Sequence, residues 1–291
     1  MQNKQRRDLY ENQSLDVQIP MQIQTRQIWD LRHLTWRKVS GSINTDGAYL
    51  KTELDYEGAL YYLKLSNYDV ERGIFGHESV NELIAARVGR LLGFETPDGF
   101  LRNAIVNVEG VEYTSYVFAS KSFKQSGSSR SAFEDYYAMY RQSKDESSFD
   151  FCKRMGWESY IYKMFIFDYL IINRDRHGAN LEVIKNGGIK LSPLFDNGLS
   201  LVCSVTDPNS VDRFDPVLPR SANNFIGAKG ENALEDNLES IDMPVQFNEL
   251  LLEHKTVLFK DLDGVLAQVY FDKIWEILVR RWERVKTFRV A

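Results

Sequence analysis

Three oxygen-bearing side chains in the second half of this 291-residue sequence could act together: Asp175, Asn180 and Asp196. Asp175 and Asn180 lie five positions apart in Asn173-Arg-Asp-Arg-His-Gly-Ala-Asn-Leu181, directly after an apolar, helix-like run. Asp196 lies in Leu194-Phe-Asp-Asn-Gly198, sixteen residues beyond Asn180. A short hairpin between them (Leu181–Ile184, a turn at Lys185–Gly188, then Ile189–Leu191) is predicted to reverse the chain and return Asp196 to the loop that carries the other two. Phosphoryl transfer uses such a set. One carboxylate orients and deprotonates an attacking hydroxyl, while a carboxamide and a second carboxylate hold Mg²⁺ against nucleotide phosphates. Mg²⁺ keeps waters and phosphate oxygens in its shell, so one Asn and one Asp suffice. A bare D-x-x-x-x-N is most often a surface turn. Here the apolar helix, the N-x-D-R-H-x-x-N string, the hairpin and the F-D-x-G together carry the reading.

A cation is needed opposite these acceptors. Lys64 lies inside the strand-like run Ala59-Leu-Tyr-Tyr-Leu-Lys-Leu65, where a half-buried ammonium is costly unless it meets negative charge. Nucleotide phosphates and a helix glutamate would supply that charge. Glu82 is the candidate glutamate and Glu78 the alternative. On a helical wheel Glu82 falls almost opposite the Val80/Ile84/Leu91 stripe, so the helix must be gripped on two faces for the assignment to hold. The small-residue stretch Ser40–Gly47, between two strands, could bring backbone N–H groups to phosphates, with Ser40, Gly41 and Ser42 at its start. It matches neither G-x-G-x-x-G nor a Walker loop. His177 reads as a scaffold for its loop. Arg220 and Lys229 sit in a polar stretch and read as solvated.

The positioning elements follow from pattern. Strands are predicted over Thr35–Val39, Tyr49–Leu54, Ala59–Leu65, Phe100–Val108 and Val111–Phe118. A helix is predicted over Glu78–Leu92, stopped by Gly93. Further helices are predicted near Ala132–Gln142, Trp157–Ile172, Gln246–Glu253 and Leu266–Val285. Residues 1–25, Gln-rich and weakly patterned, read as a flexible N-terminal arm. Residues 26–120 read as a β-rich N-lobe that binds nucleotide, and 121–291 as a helical C-lobe with the catalytic loop and metal site. The Ser-rich stretch 121–131 marks the boundary.

Composition narrows the alternatives. With 43% hydrophobic and 26% charged residues the chain is an ordinary globular sequence. The 36 Lys+Arg against 41 Asp+Glu give a net charge of −5, which argues against direct nucleic-acid or membrane-surface binding. The two cysteines stand far apart without a His/Cys cluster, which fits a reducing, cytoplasmic setting. The polar start reads as no secretory signal, and the most apolar run, 160–172, is too short to span a bilayer.

Phe167-Asp-Tyr-Leu-Ile-Ile-Asn-Arg-Asp-Arg-His-Gly-Ala-Asn180, with Leu191-Ser-Pro-Leu-Phe-Asp196, resembles the catalytic core of HipA-like serine/threonine kinases. Tyr62-Leu-Lys64 and Asn81-Glu82, with the following Ala-Ala-Arg-Val-Gly-Arg-Leu-Leu-Gly93, resemble that family's lysine strand and helix. The layout is most similar to compact CtkA-type members, and the motifs cover roughly residues 40–200. The resemblance implies an α+β, two-lobed, protein-kinase-like fold related to lipid kinases, with ATP and Mg²⁺ in the cleft. It implies Asp175 as catalytic base, Asn180 and Asp196 as metal ligands, and Lys64 on the ATP phosphates, supported by Glu82. It also implies autophosphorylation in the loop of Ser40 and Ser42, a hinge near Tyr116–Ala119, a protein substrate and a small antitoxin partner. Two other functions stay open: a nucleotide-sensing regulatory module without turnover, and a lipid or small-molecule kinase.

Overall fold

The computed structural model describes residues 28–40, 48–124 and 127–288. The expected N-terminal arm, as well as Gly41 and Ser42, lies outside them. The first half forms β1 (Trp29–Asp30), β2 (Arg37–Ser40), β3 (Ala48–Tyr56), β4 (Ala59–Asp69), β5 (Gly73–Phe75), α1 (Glu78–Leu91), β6 (Gly99–Val108) and β7 (Val111–Lys121). The seven strands make one sheet in the order β1-β6-β7-β4-β3-β2, with β5 paired to β4. All pairs are antiparallel except β1 with β6. Local turn chemistry sets the two long hairpins. Glu57-Gly58 and Glu109-Gly110 both have positive φ at each residue, the two-residue turn whose twist matches antiparallel strands. These turns fix Tyr56 opposite Ala59 and Val108 opposite Val111, and with them the register along β6–β7 and, in β3–β4, as far as Lys51 opposite Lys64, beyond which it shifts before Tyr49.

The second half begins with β8 (Ser129–Ala132), α2 (Phe133–Tyr140), α3 (Ser148–Arg154) and α4 (Glu158–Ile171). It continues with β9 (Glu182–Lys185), β10 (Ile189–Leu191), α5 (Ala233–Glu239), α6 (His254–Leu258) and α7 (Gln268–Val285). β10, β9 and β8 form a small antiparallel sheet, so the predicted 181–191 hairpin is present, with β8 as its third strand. α4 is apolar around most of its circumference and lies in the main core, as such a helix must. That core spans α1 and the helical half, while a smaller cluster around Leu63, Leu65, Val106 and Val117 fills the sheet. No helix among the described residues is long and apolar enough to cross a membrane.

Three expectations need correction. The segment predicted helical over Gln246–Glu253 is irregular. Its backbone is used elsewhere: the Asn248 N–H donates to the Leu92 carbonyl and its Nδ2 to the Leu91 carbonyl, satisfying the open end of α1. Tyr116–Ala119 is no connector but the interior of β7, where Leu63 faces Ala119 and Lys64 faces Phe118. The chain leaves the sheet only after Lys121. Finally, Ser129 and Arg130, expected in a polar boundary stretch, belong to β8.

Candidate active site

Lys64 reaches the site because period-2 alternation turns it to the same side of β4 as its neighbour across the ladder, Lys51 of β3. Lys64 Nζ donates to Glu82 Oε1 at 2.6 Å and to Asp196 Oδ1 at 3.2 Å. Lys51 Nζ donates to Asp196 Oδ2 at 2.7 Å. Glu82 is available because α1 is gripped on both sides, every residue but Arg90 being buried. This resolves the helical-wheel conflict: the apolar stripe packs into the core while the opposite face meets the cleft. The second oxygen of Glu82 accepts the Asn197 N–H at 2.9 Å, so the carboxylate holds both the lysine and the loop after β10.

The catalytic-loop candidates are set by the end of α4. Ile172 takes a left-handed conformation, φ 53°, which stops the helix and turns the chain out. A β-branched residue is strained there, a conformation that persists only where its surroundings impose it. Asp168 supplies that constraint. Its carboxylate accepts Asn173 Nδ2 at 2.9 Å, and Arg176 Nη2 and Nε at 2.8 and 3.1 Å. Fully buried Arg176 then donates to the carbonyls of Phe195 at 2.6 Å and Asn180 at 3.3 Å, and to Asn197 Oδ1 at 2.6 Å. One guanidinium therefore ties the Asp175–Asn180 loop to the Asp196 loop. Asn180 Nδ2 donates to the Asp175 carbonyl at 2.8 Å. His177 Nδ1 accepts the Ala179 N–H at 3.2 Å, the scaffolding role read from the sequence, and its Nε2 lies 3.7 Å from Asp175 Oδ2.

These groups line one cavity of about 300 Å³. Lys51, Lys64, Glu78, Glu82, Asp175, Asn180 and Asp196 are all in its wall. Electrostatics matches an anionic, cation-bearing ligand. Burial opposes the charge on Asp196, but the ammonium groups of Lys64 and Lys51 outweigh it and hold the carboxyl well below its usual range. For Lys64, burial is likewise outweighed by the carboxylates of Asp196 and Glu82, and its pKa stands above the usual value. Tyr49, also in the wall, has a buried hydroxyl without a hydrogen-bond partner among the described residues, and burial raises its pKa so that it remains a donor. An orphan donor beside two lysines suits an acceptor-rich group such as a phosphate.

The donor set also fits Mg²⁺. With Nδ2 committed to Asp175, Asn180 has its amide oxygen left to offer, and Asp196 adds a carboxylate. No group of three or more His, Cys, Asp and Glu side chains among the described residues is placed to hold a metal alone. A cation here would therefore complete its shell with phosphate and water, as Mg²⁺ does at nucleotide sites.

The structure thus brings together Asp175, Asn180, Asp196, Lys64 and Glu82. Glu78, the alternative glutamate, is in the same wall but accepts the Asn67 N–H at 3.2 Å instead of a lysine. Ser40 ends β2 opposite Ala48, at the mouth of the 41–47 connection, which lies outside the described residues. Sequence reasoning missed Lys51, Arg176, Asn197 and Asn81. Asp168, an isolated charge in an apolar helix, was the one available signal for the Arg176 network. Lys51 gave none, because its position depends on strand register.

No family model and no curated protein matches the sequence. Among solved structures, the Helicobacter pylori proinflammatory kinase CtkA aligns over 91% of this chain and 100% of its own, with a TM-score of 0.56 and 15% identity. HipA from the Shewanella oneidensis MR-1 toxin–antitoxin complex with HipB and operator DNA aligns over 87% of this chain and 61% of its own, with a TM-score of 0.41 and 13% identity. The chain has the two-lobed α+β fold of the CtkA kinase, in keeping with the HipA-like resemblance of its loop and lysine-strand motifs.

Proposed function

We propose that the protein is an ATP- and Mg²⁺-dependent serine/threonine kinase of the HipA-like type. The observation that carries this reading is the convergence of Lys64, Glu82 and Asp196 in one cavity wall with Asp175 and Asn180. Mg²⁺, when bound, would neutralise charge developing on the phosphates. Asn180 and Asp196 would hold it. Lys64, kept charged and aimed by Glu82, would bind phosphate oxygens, and Lys51 and Tyr49 would add donors on the same side. Asp175 would accept the proton of the attacking hydroxyl and set its line of approach. Arg176 keeps the two loops in register, so the base and the metal ligands move as one unit.

The test is transfer of labelled γ-phosphate from ATP in the presence of Mg²⁺, with phosphosites located by mass spectrometry. Asp175→Asn is expected to lower transfer by about 10²–10⁴-fold. Wild-type incorporation no greater than that of the variant would end the kinase reading. Nucleotide binding without any transfer would leave the sensing module in its place. The same spectra report whether Ser40 or Ser42 is phosphorylated.

A further inference from the structure

The loop that carries Asp175 also presents an arginine that the reading above does not use. Arg174 and Arg220 are both half-buried, and neither has a carboxylate within ion-pair distance among the described residues. Arg174 is placed by two backbone bonds: its N–H donates to the Leu199 carbonyl at 3.2 Å, and its carbonyl accepts the Asn223 N–H at 2.8 Å. Its Nη2 reaches a poor acceptor, the Cys203 sulfur, at 3.1 Å. The second bond, followed by Phe225 N–H to the Arg176 carbonyl at 2.9 Å, runs the strap 222–225 alongside the catalytic loop. That strap brings Arg220 into the neighbourhood. Arg220 lies over the Phe214 ring at 4.3 Å and donates from Nη2 to the Asp215 carbonyl at 3.3 Å, while its Nε is buried with no partner among the described residues. Burial first, then the charge of Arg174, lowers the pKa of Arg220, and the exposed Asp215 carboxylate only partly offsets them. Two guanidiniums close enough to repel each other, with only the exposed Asp215 carboxylate to offset them, are an incompletely compensated positive site. Neither lines the nucleotide cavity, so the phosphates proposed there do not supply the missing charge.

We propose that Arg174 and Arg220 form an anion-binding subsite next to Asp175 that selects protein substrates carrying an acidic group close to the acceptor hydroxyl. This deepens the kinase reading and rests on it for the identity of the reaction. A carboxylate or a phosphate on the substrate would accept hydrogen bonds from the guanidinium N–H groups of Arg220 and Arg174, displacing the Cys203 thiol from the latter, and would bring the hydroxyl beside it to Asp175. Arg174 and Arg220 are thus assigned as specificity-determining residues. They add nothing to the transfer step itself.

The test uses three nine-residue peptides with one acceptor serine: one flanked by aspartates, one flanked by alanines, and one with a phosphoserine next to the acceptor. Binding to the full chain is measured by fluorescence anisotropy, and phosphorylation by steady-state kinetics. The aspartate and phosphoserine peptides should bind the wild type at least 10-fold more tightly than the alanine peptide. Arg220→Gln should erase that preference through KM, with kcat and the KM for ATP unchanged, and Arg220→Lys should restore only part of it. Preference for the phosphoserine peptide alone would identify a primed phosphate as the anion. Equal binding of the aspartate, phosphoserine and alanine peptides to the wild type, or an unchanged preference in Arg220→Gln, overturns the subsite. Selective binding without turnover would overturn the kinase reading and leave the subsite standing.

Discussion

Lys51 and Lys64 stand directly opposite each other on adjacent strands, a like-charge pairing that destabilises a sheet unless acid lies between. Asp196 accepts from both, and Glu82 from Lys64, so the pair persists because a half-buried and a buried carboxylate stand with it. When Asp196 turns to a cation, the lysines need another anion, and phosphate is the one expected. Lys51→Met should therefore weaken Mg·ATP binding about 10–100-fold, the loss of one charge-assisted hydrogen bond of roughly 1.5–3 kcal/mol. Calorimetric titration with a non-hydrolysable analogue measures this, and unchanged affinity would remove Lys51 from the site. Glu78 makes a separate claim. Burial lifts its carboxyl from 4.5 to about 7, against the Asn67 N–H that favours the charged form. The folded protein then keeps a proton that the unfolded chain releases above pH 4.5. Stability should fall as pH rises from about 4.5 to about 7, by an upper bound on the order of 3 kcal/mol, and stay reduced above. Glu78→Gln should match the wild type near pH 4.5 and melt roughly 5–10 °C higher at pH 8. Equal melting temperatures at both pH values would show an ordinary carboxyl.

Among the elements, α1 links the sheet, the helical half and the loop behind Asp196. Asn81 Nδ2 donates to the carbonyls of Gly198 and Ser200 at 3.2 and 2.9 Å, and Glu82 takes the Asn197 N–H. Asn81→Ala would strand two buried carbonyls at a cost of about 1–3 kcal/mol. It should lower the denaturation midpoint and also weaken Mg²⁺-dependent nucleotide binding, because the loop it anchors carries Asp196. Loss of stability with unchanged binding would make Asn81 a packing residue only. The strands, α1 and the 181–191 hairpin were legible from the sequence because turn residues and periodicity act locally. Gln246–Glu253 misled because its leucines pack irregularly while Asn248 is spent on the end of α1. Of the candidate site, Lys64 was legible because charge inside an apolar strand needs a reason, and Asp175, Asn180 and Asp196 were legible from their spacing around a predicted hairpin. Lys51 and the Arg174–Arg220 pair were not, since both arise from register and from a strap crossing far along the chain.

At the scale of the whole molecule, the sheet and the helical half meet around the cavity through ion pairs from Lys51 and Lys64 to Asp196. The sheet has its own small core, and α1 belongs to the larger one. A ligand that placed a cation at Asp196 and phosphates at the lysines would replace one direct bridge by a longer, multiply bonded one, joining the two halves without unfolding either. Binding to the native state alone stabilises it by mass action, about 2.7 kcal/mol at a free concentration of 100 Kd. For a chain of this size that predicts a rise in melting temperature of roughly 5–10 °C with Mg·ATP. The rise should shrink with ATP in EDTA, because phosphates would meet Asp196 without the cation between them. It should largely vanish in Asp196→Asn and Lys64→Ala, which remove the two ends of the bridge. Asp175→Asn should keep it, because the role proposed for Asp175 lies in transfer and not in holding the nucleotide. Differential scanning fluorimetry across these four proteins tests the arrangement. A shift that survives in Asp196→Asn and Lys64→Ala would mean that nucleotide binds elsewhere, and loss of the shift in Asp175→Asn would mean that Asp175 holds the ligand and is not a base acting on its partner.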